Sequence, residues 1–356
     1  MKHWFLILFA ALVAAIAPGL HAQEAPKVIR VGVATGGVGS PVRVGGFPAA
    51  TVYTEGLLEQ EFKKDGIAIE WQFFKGAGPA VNEALVNGQL DFAWQGDLPS
   101  IVHRAQGVKT RIILANGVRN GLYLAVPGDS PIQRIEDLKG KRVSVFKGTN
   151  LHLAVVRVLA AHGLKESDVR LINLDLPGAQ AALATKDIDA AFGYIELFVL
   201  RDKGIAKVIY SAREDSYKFT RQTALLVTDE FERKYPQIVQ RVVTVNVRSA
   251  REYSDESKRD ALFAQWGRAQ VPDKYWREDF LGEPLRTRQS PLLDPFLVAR
   301  YKDAYQEALQ LKLVRGKADI DSWFERRYLN TALKQLKLED YWPVYQADGK
   351  VLGSAP

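Results

Sequence analysis

From Val28 to about Tyr210 the chain alternates short apolar, β-branched runs with amphipathic stretches, and this alternation leaves few folds open to it. Val28–Val33, Ala68–Phe74, Leu90–Trp94, Arg111–Ala115, Leu122–Val126, Arg142–Phe146, Val169–Leu174, Ile188–Phe192 and Ala206–Tyr210 have the length and composition of strands. Between them Pro48–Lys64, Pro79–Val86, Leu151–His162, Gly178–Thr185 and Ile195–Lys203 carry helical spacing. A crossover helix returns the chain to the same end of a sheet, so strands joined this way pair in parallel. The expectation is an α/β protein with mainly parallel sheets flanked by helices.

The chain also echoes itself at an offset of 98 residues. Pro79 meets Pro177, Ala84-Leu85 meets Ala182-Leu183, Asp91 meets Asp189, Ala93 meets Ala191, and Trp94 falls on Phe192. In both copies a helix carrying a proline in its first turn, where no donor is wasted, feeds a strand of the form x-Asp-x-Ala-aromatic. Two lobes of similar topology follow from this. After Tyr210 the pattern changes: Thr223–Thr228 reads as one further strand. The runs from Pro236 to Tyr253, Asp260 to Gln270, Pro291 to Leu311 and Ile320 to Leu336 then read as helices, expected to pack on the first lobe.

Lys2 and His3 precede an apolar run from Trp4 to Ala17, then Pro18-Gly19 and a small-residue exit at Ala22. That is the layout of a secretory signal cleaved near Ala22; the run is shorter than the roughly 20 residues that span a bilayer. The remaining residues 23–356 are long for one core and suit two domains. With no cysteine in the chain, disulfides, thiolate chemistry and a lipid anchor are excluded. The net charge of +7 is spread among interspersed acids and bases, which points to a solvated surface that steers anions and not to nucleic-acid binding.

Catalytic signatures are missing. His103, His152 and His162 form no zinc-ligand pair, and no Gly-x-Ser-x-Gly elbow occurs. The stretch Gly36-Gly37-Val38-Gly39-Ser40 lacks the ending of a phosphate loop and has Val42 where a dinucleotide fingerprint needs glycine. What recurs is glycine or a capping residue at the top of a strand, directly before a helix: Gly76-Ala77-Gly78-Pro79, Gln95-Gly96-Asp97-Leu98-Pro99 and Gly148-Thr149-Asn150. Such starts leave main-chain N–H groups free at the positive end of a helix, a place for an oxyanion. Asp97, Thr149 and Asn150 also have the chemistry to cap their own helices.

Phe74-Lys75-Gly76-Ala77-Gly78-Pro79, Gly88-Gln89-Leu90-Asp91-Phe92-Ala93 and Gly96-Asp97-Leu98-Pro99 resemble the periplasmic substrate-binding proteins of sulfonate, taurine and nitrate ABC importers. So do Asp137-Leu138-Lys139-Gly140-Lys141-Arg142-Val143 and Lys147-Gly148-Thr149-Asn150-Leu151-His152. The resemblance runs from about Val28 to Val227 and more loosely to Leu338. It implies a type II periplasmic-binding-protein fold with a two-strand hinge, at Asn116–Tyr123 and near Lys218–Thr223. Lobe 1 would hold residues 28–120 and 222–340, lobe 2 residues 121–221, with a C-terminal tail at 341–356. It also implies ligand contacts at Gly78, Gln95, Asp97, Gly148, Thr149, Asn150 and Glu196. The chain departs from the family in a long loop, Thr35 to Phe47, and in Gly193-Tyr194-Ile195-Glu196-Leu197-Phe198 where many relatives have Trp-Asp-Pro-Tyr.

Within that site Lys147 is the best-placed counter-charge, ahead of Arg43 and Arg119. Trp94, Phe192 and Tyr194 are candidates to pack a carbon chain, and Asp97 and Glu196 to receive a ligand amine. The expected function is capture of a small organic anion, an aliphatic sulfonate or taurine-like compound, by lobe closure and delivery to an inner-membrane ABC permease. The protein is expected to be a periplasmic monomer with no metal, cofactor or nucleic-acid partner and no catalytic residues. An enzyme or a sensor on the same scaffold, or a binding protein for nitrate, a pyrimidine or an aromatic acid, are the alternatives.

Overall fold

The computed structural model describes residues 25–269 and 271–352, and the expected export signal lies outside them. Among the described residues, ten strands build two sheets: β1 (Val28–Val33), β2 (Ala68–Phe73), β3 (Phe92–Gly96), β4 (Thr110–Ala115), β5 (Tyr123–Pro127), β6 (Arg142–Val145), β7 (Arg170–Asn173), β8 (Ala190–Gly193), β9 (Ala206–Ser211) and β10 (Thr223–Thr228). The first sheet runs β2-β1-β3-β10-β4 and the second β7-β6-β8-β5-β9. In each, four strands run the same way and one intruder is antiparallel to both its neighbours, β10 in the first and β5 in the second. The two lobes therefore share one topology.

The echo at Asp91 and Asp189 has a structural cause. Asp91 accepts the Arg30 main-chain N–H at 2.8 Å and the Arg30 guanidinium at 2.6 Å, and Asp189 does the same for Arg142 at 2.7 Å and 3.0 Å. In each lobe a carboxylate just before the third strand clamps the first parallel strand by backbone and side chain together. The clamp partners are 61 residues apart in one lobe and 47 in the other. A fixed offset therefore reveals the acids and hides the arginines.

The helices of the sheet-forming part are α1 (Pro48–Thr54), α2 (Leu57–Phe62), α3 (Ala77–Val86), α4 (Asp97–Ala105), α5 (Asn150–Ala161), α6 (Leu176–Ala184), α7 (Glu196–Asp202) and α8 (Ala212–Asp215). The single helix expected over Pro48–Lys64 breaks at Gly56, whose φ of 60° ends α1 and starts α2. The strand expected at Leu90–Trp94 begins at Phe92, because Asp91 is held by Arg30 and the Leu90 side chain fills the space over Gly32. Then follow α9 (Asp229–Lys234), α10 (Pro236–Glu252), α11 (Arg259–Trp266), α12 (Asp273–Asp279), α13 (Leu285–Arg288), α14 (Pro295–Gln310) and α15 (Arg327–Leu336). The helix expected from Pro291 starts at Pro295, capped by Asp294 on the Leu297 N–H at 2.8 Å; Pro291 instead gives its carbonyl to Ala115 N beside β4. The one expected from Ile320 is interrupted where Phe324 bridges Ile112.

Helices α10, α14 and α15 share the core of the first lobe with Val31, Phe92, Leu225 and Val227. The stretch that carries α12 does not join them. Val271 and Tyr275 pack with Leu183, Ile195 and Phe198 of the second lobe, and Lys274 and Glu278 pair with Asp202 and Arg201. A buried group of Asp279, Arg288 and Tyr123, joined by Asn120, ties it to the hinge as well. The expected C-terminal tail is partly folded: β11 (Val344–Tyr345) and β12 (Val351–Leu352) form a hairpin.

Replacing Asp91 with Ala strips an acceptor from a strand N–H and a buried charge from Arg30. Urea unfolding should show a loss of about 2 kcal/mol; an unchanged midpoint would contradict the clamp.

Candidate functional site

The chain crosses between the sheets twice, and the crossings pair with each other at Asn120 and Arg221. On one side of this hinge the tops of β1 and β3 and the start of α3 face the loop between β6 and α5. Contact is direct: a side chain on Gly96 would meet Asn150 Cβ at 2.6 Å, and one on Gly148 would meet Pro79 at 3.2 Å. The lobes are closed on one another, and small residues on each allow it.

Thr149 caps α5, its hydroxyl accepting the Leu151 N–H at 3.3 Å and donating to the Phe146 carbonyl at 2.7 Å. Gly148, at φ 76°, turns the chain into that cap, and its N–H lies 3.3 Å from His152 Nδ1. The N–H groups of Thr149 and Asn150 find no acceptor among the described residues, and neither does that of Gly78 near the start of α3. Gly78 is buried beneath the Pro99 ring, which fixes α3 against α4. Gln95 sits behind it. Its amide nitrogen meets His103 Nδ1 at 3.0 Å, while its oxygen is buried without a partner. His103 also contacts Asn82 and Thr110; burial, then Arg104, push it down to about 3, so the imidazole is neutral.

Asp97 opens α4 with its carboxylate almost fully enclosed, taking the Leu98 N–H at 2.7 Å. Burial raises its acid to about 6 against the pull of Arg157, the Leu98 N–H and Arg221. Tyr194 reaches Asn150 Oδ1 at 3.4 Å and carries the Arg221 guanidinium over its ring, the central carbon 3.6 Å from the ring centre. Arg157 of α5 pairs across the interface with Glu307 of α14, and Leu153 of the same helix is buried in the first lobe's core.

Gly78, Gln95, Gly96, Asp97, Gly148, Thr149, Asn150 and Tyr194 thus converge. The remaining candidates are engaged by other neighbours. Lys147 turns its ammonium to Glu166, 3.9 Å away, because its own N–H is fixed by Asn173. Glu196 folds its carboxylate back onto the Tyr194 N–H at 2.8 Å, and burial raises its acid. Trp94 and Phe192 fill the two cores, Trp94 stacked on Trp71. Arg43 donates to the Arg268 carbonyl, and Arg119 lies among Tyr345, Phe296 and Tyr217. Arg157 and Arg221 were missed. A lone charge in the apolar run Leu151–Ala161 signals the first; nothing but its place in the expected hinge signals the second.

The family described as NMT1/THI5 like matches residues 61–256. The chain belongs to that family. It is 28% identical over 191 residues to an aliphatic sulfonates-binding protein of Escherichia coli, covering 53% of this chain and 56% of the relative. It is 26% identical over 178 residues to the taurine-binding periplasmic protein of the same organism, covering 50% and 55%. The matched stretch thus spans little more than half the length of these curated relatives. Among solved structures, the periplasmic sulfonate-binding protein SsuA of Methylobacillus flagellatus KT superposes with a TM-score of 0.78 at 30% identity, covering 91% of this chain and 98% of that one. SsuA of Xanthomonas axonopodis pv. citri, bound to MOPS, gives 0.70 at 21% and shares the fold, covering 85% and 99%. The desulfurization enzyme DszB also shares it, at 0.65 and 18%, covering 87% and 99%. The fold is the two-lobed periplasmic-binding-protein fold, and the named curated relatives are binding proteins.

A raised acid stabilises a fold fully below its unfolded pKa and loses that contribution as pH climbs through the folded value, here near 6. Asp97→Asn should therefore be about 3 kcal/mol more stable than the parent at pH 7, with the gap closing toward pH 4. Urea unfolding at both pH values checks this. A gap that does not change with pH contradicts it.

Proposed function

We propose that the protein is the periplasmic solute-binding component of an ABC importer and captures a small organic anion, an aliphatic sulfonate or taurine-like compound, by lobe closure. The observation that carries this reading is the set of unpartnered N–H groups at Gly78, Thr149 and Asn150, one on the first lobe and two on the second, at helix starts brought close by the contacts of Gly96 with Asn150 and of Gly148 with Pro79. The starts of α3 and α5 add the favourable end of their dipoles there, so an oxyanion with several acceptors gains from both lobes only when they are closed. The named relatives bind sulfonates or taurine, which supports the ligand class. Export to the periplasm, a permease partner and a monomeric state belong to the same reading.

Turnover is not part of it. The chain has no cysteine to act as a thiol nucleophile, and His103, neutral and enclosed by Asn82, Thr110 and Gln95, is not placed to act as a base.

Thermal-shift screening of residues 23–356 against ethanesulfonate, taurine, nitrate and benzoate tests the proposal. A sulfonate should raise the melting temperature with micromolar affinity, about −8 kcal/mol, with no product formed on prolonged incubation. Gly96→Ala, whose methyl would lie 2.6 Å from Asn150 Cβ and hold the lobes apart, should weaken that ligand about tenfold. A flat response to both sulfonates, or a folded Gly96→Ala protein that binds as the parent does, contradicts it.

A further inference from the structure

Free main-chain N–H groups carry partial charge only, and a sulfonate brings a full negative charge into a crevice that already holds Asp97. A permanent cation should face it. Near the lobe interface Lys147 pairs with Glu166, Arg119 lies among aromatic rings and Arg43 donates to a carbonyl, while Arg157 pairs with Glu307 and keeps only its buried Nη2 unpartnered. Arg221 is different. Among the described residues no carboxylate pairs with it, and its bonds to the main chain come from Nε and Nη2, not Nη1.

Its position is fixed from three directions. The main chain pairs with Asn120, N–H to carbonyl at 2.8 Å and back at 3.1 Å. Nε and Nη2 both donate to the Gly121 carbonyl, at 3.1 Å and 2.9 Å. The guanidinium plane then rests on Tyr194 of the second lobe, whose hydroxyl meets Asn150, the residue bearing one of the free N–H groups.

Resting on the anion-capture reading, we infer that Arg221, on the hinge, is the permanent counter-charge for the cargo's anionic headgroup, presented through Nη1 and held in place by Gly121 and Tyr194. The headgroup would meet this guanidinium at the hinge and the N–H groups of Thr149 and Asn150 at the start of α5. The Tyr194 stack links the charge to lobe position: if the second lobe swings away, the guanidinium loses the ring that orients it. An oxyanion of strong acid is the class this favours, because a group with no proton to give uses every donor as an acceptor.

The test compares Arg221→Gln and Arg221→Lys with the parent on the mature chain, by calorimetric titration with ethanesulfonate and with the neutral ethyl methyl sulfone. The parent should prefer the sulfonate by about 100-fold or more. Arg221→Gln keeps a donor for Gly121 and removes the charge; it should lose most of that preference while binding the sulfone as before. Arg221→Lys should fall between. A parent that binds both probes equally overturns the inference without any variant, as does a folded Arg221→Gln protein within twofold of the parent on ethanesulfonate. If the parent ignores ethanesulfonate but binds nitrate or benzoate, the sulfonate reading fails and the same variants judge Arg221 on that anion. If no anion binds, Arg221 fails with it.

Discussion

The approach of Gly96 to Asn150 and of Gly148 to Pro79 decides what the two lobes can do together. Each contact joins the top of a strand in one lobe to the start of a helix in the other, with no side chain between. A methyl group at Gly96 would lie 2.6 Å from Asn150 Cβ, so only the missing side chain lets the lobes meet. The same contacts bring the start of α3 close to that of α5, and neither lobe alone carries all the free N–H groups. A ligand that needs both sets is thus a ligand that selects the closed form.

This arrangement works against stability in visible ways. Asp97 is buried with its acid raised, the Gln95 amide oxygen has no partner, and Arg157 keeps an unpaired nitrogen in the interface. Groups like these cost free energy unless something answers them. The clamps Arg30–Asp91 and Arg142–Asp189, by contrast, give each carboxylate both a main-chain N–H and a guanidinium. The stretch Asp273–Arg288 adds a constraint on motion. It packs on the second lobe through Tyr275, and through Asp279 and Arg288 it is fastened to the hinge residues Tyr123 and Asn120.

Strands and the repeat were legible because they rest on local pattern: β-branched runs gave β1, β6 and β10 to within a residue or two, and the paired acids Asp91 and Asp189 marked equivalent corners. The antiparallel intruders β5 and β10 carry no mark of their direction, since a buried strand reads alike either way. The site was half legible. Glycine and capping residues at strand tops named Gly78, Asp97, Gly148, Thr149 and Asn150, whose roles are set by backbone geometry. The neighbours of Lys147 and Glu196 were not legible: Lys147 answers to Glu166, nineteen residues on, and Glu196 folds back on the Tyr194 N–H within its own turn. Arg221 escaped notice because its importance comes from what does not pair with it, a property only the folded chain has. The packing of α12 on the second lobe was hidden for the same reason: Tyr275 and Val271 look like any core residues until the surface they cover is known.

The account stands on main-chain donors in the crevice being free to take an anion. Backbone amide NMR of the mature protein, recorded with and without a saturating sulfonate, addresses this directly. The N–H signals of Gly78, Thr149 and Asn150 should move downfield and exchange more slowly with solvent when ligand is present. If these three signals are unchanged while others respond, or are already protected without ligand, the cargo is held elsewhere and the account is wrong.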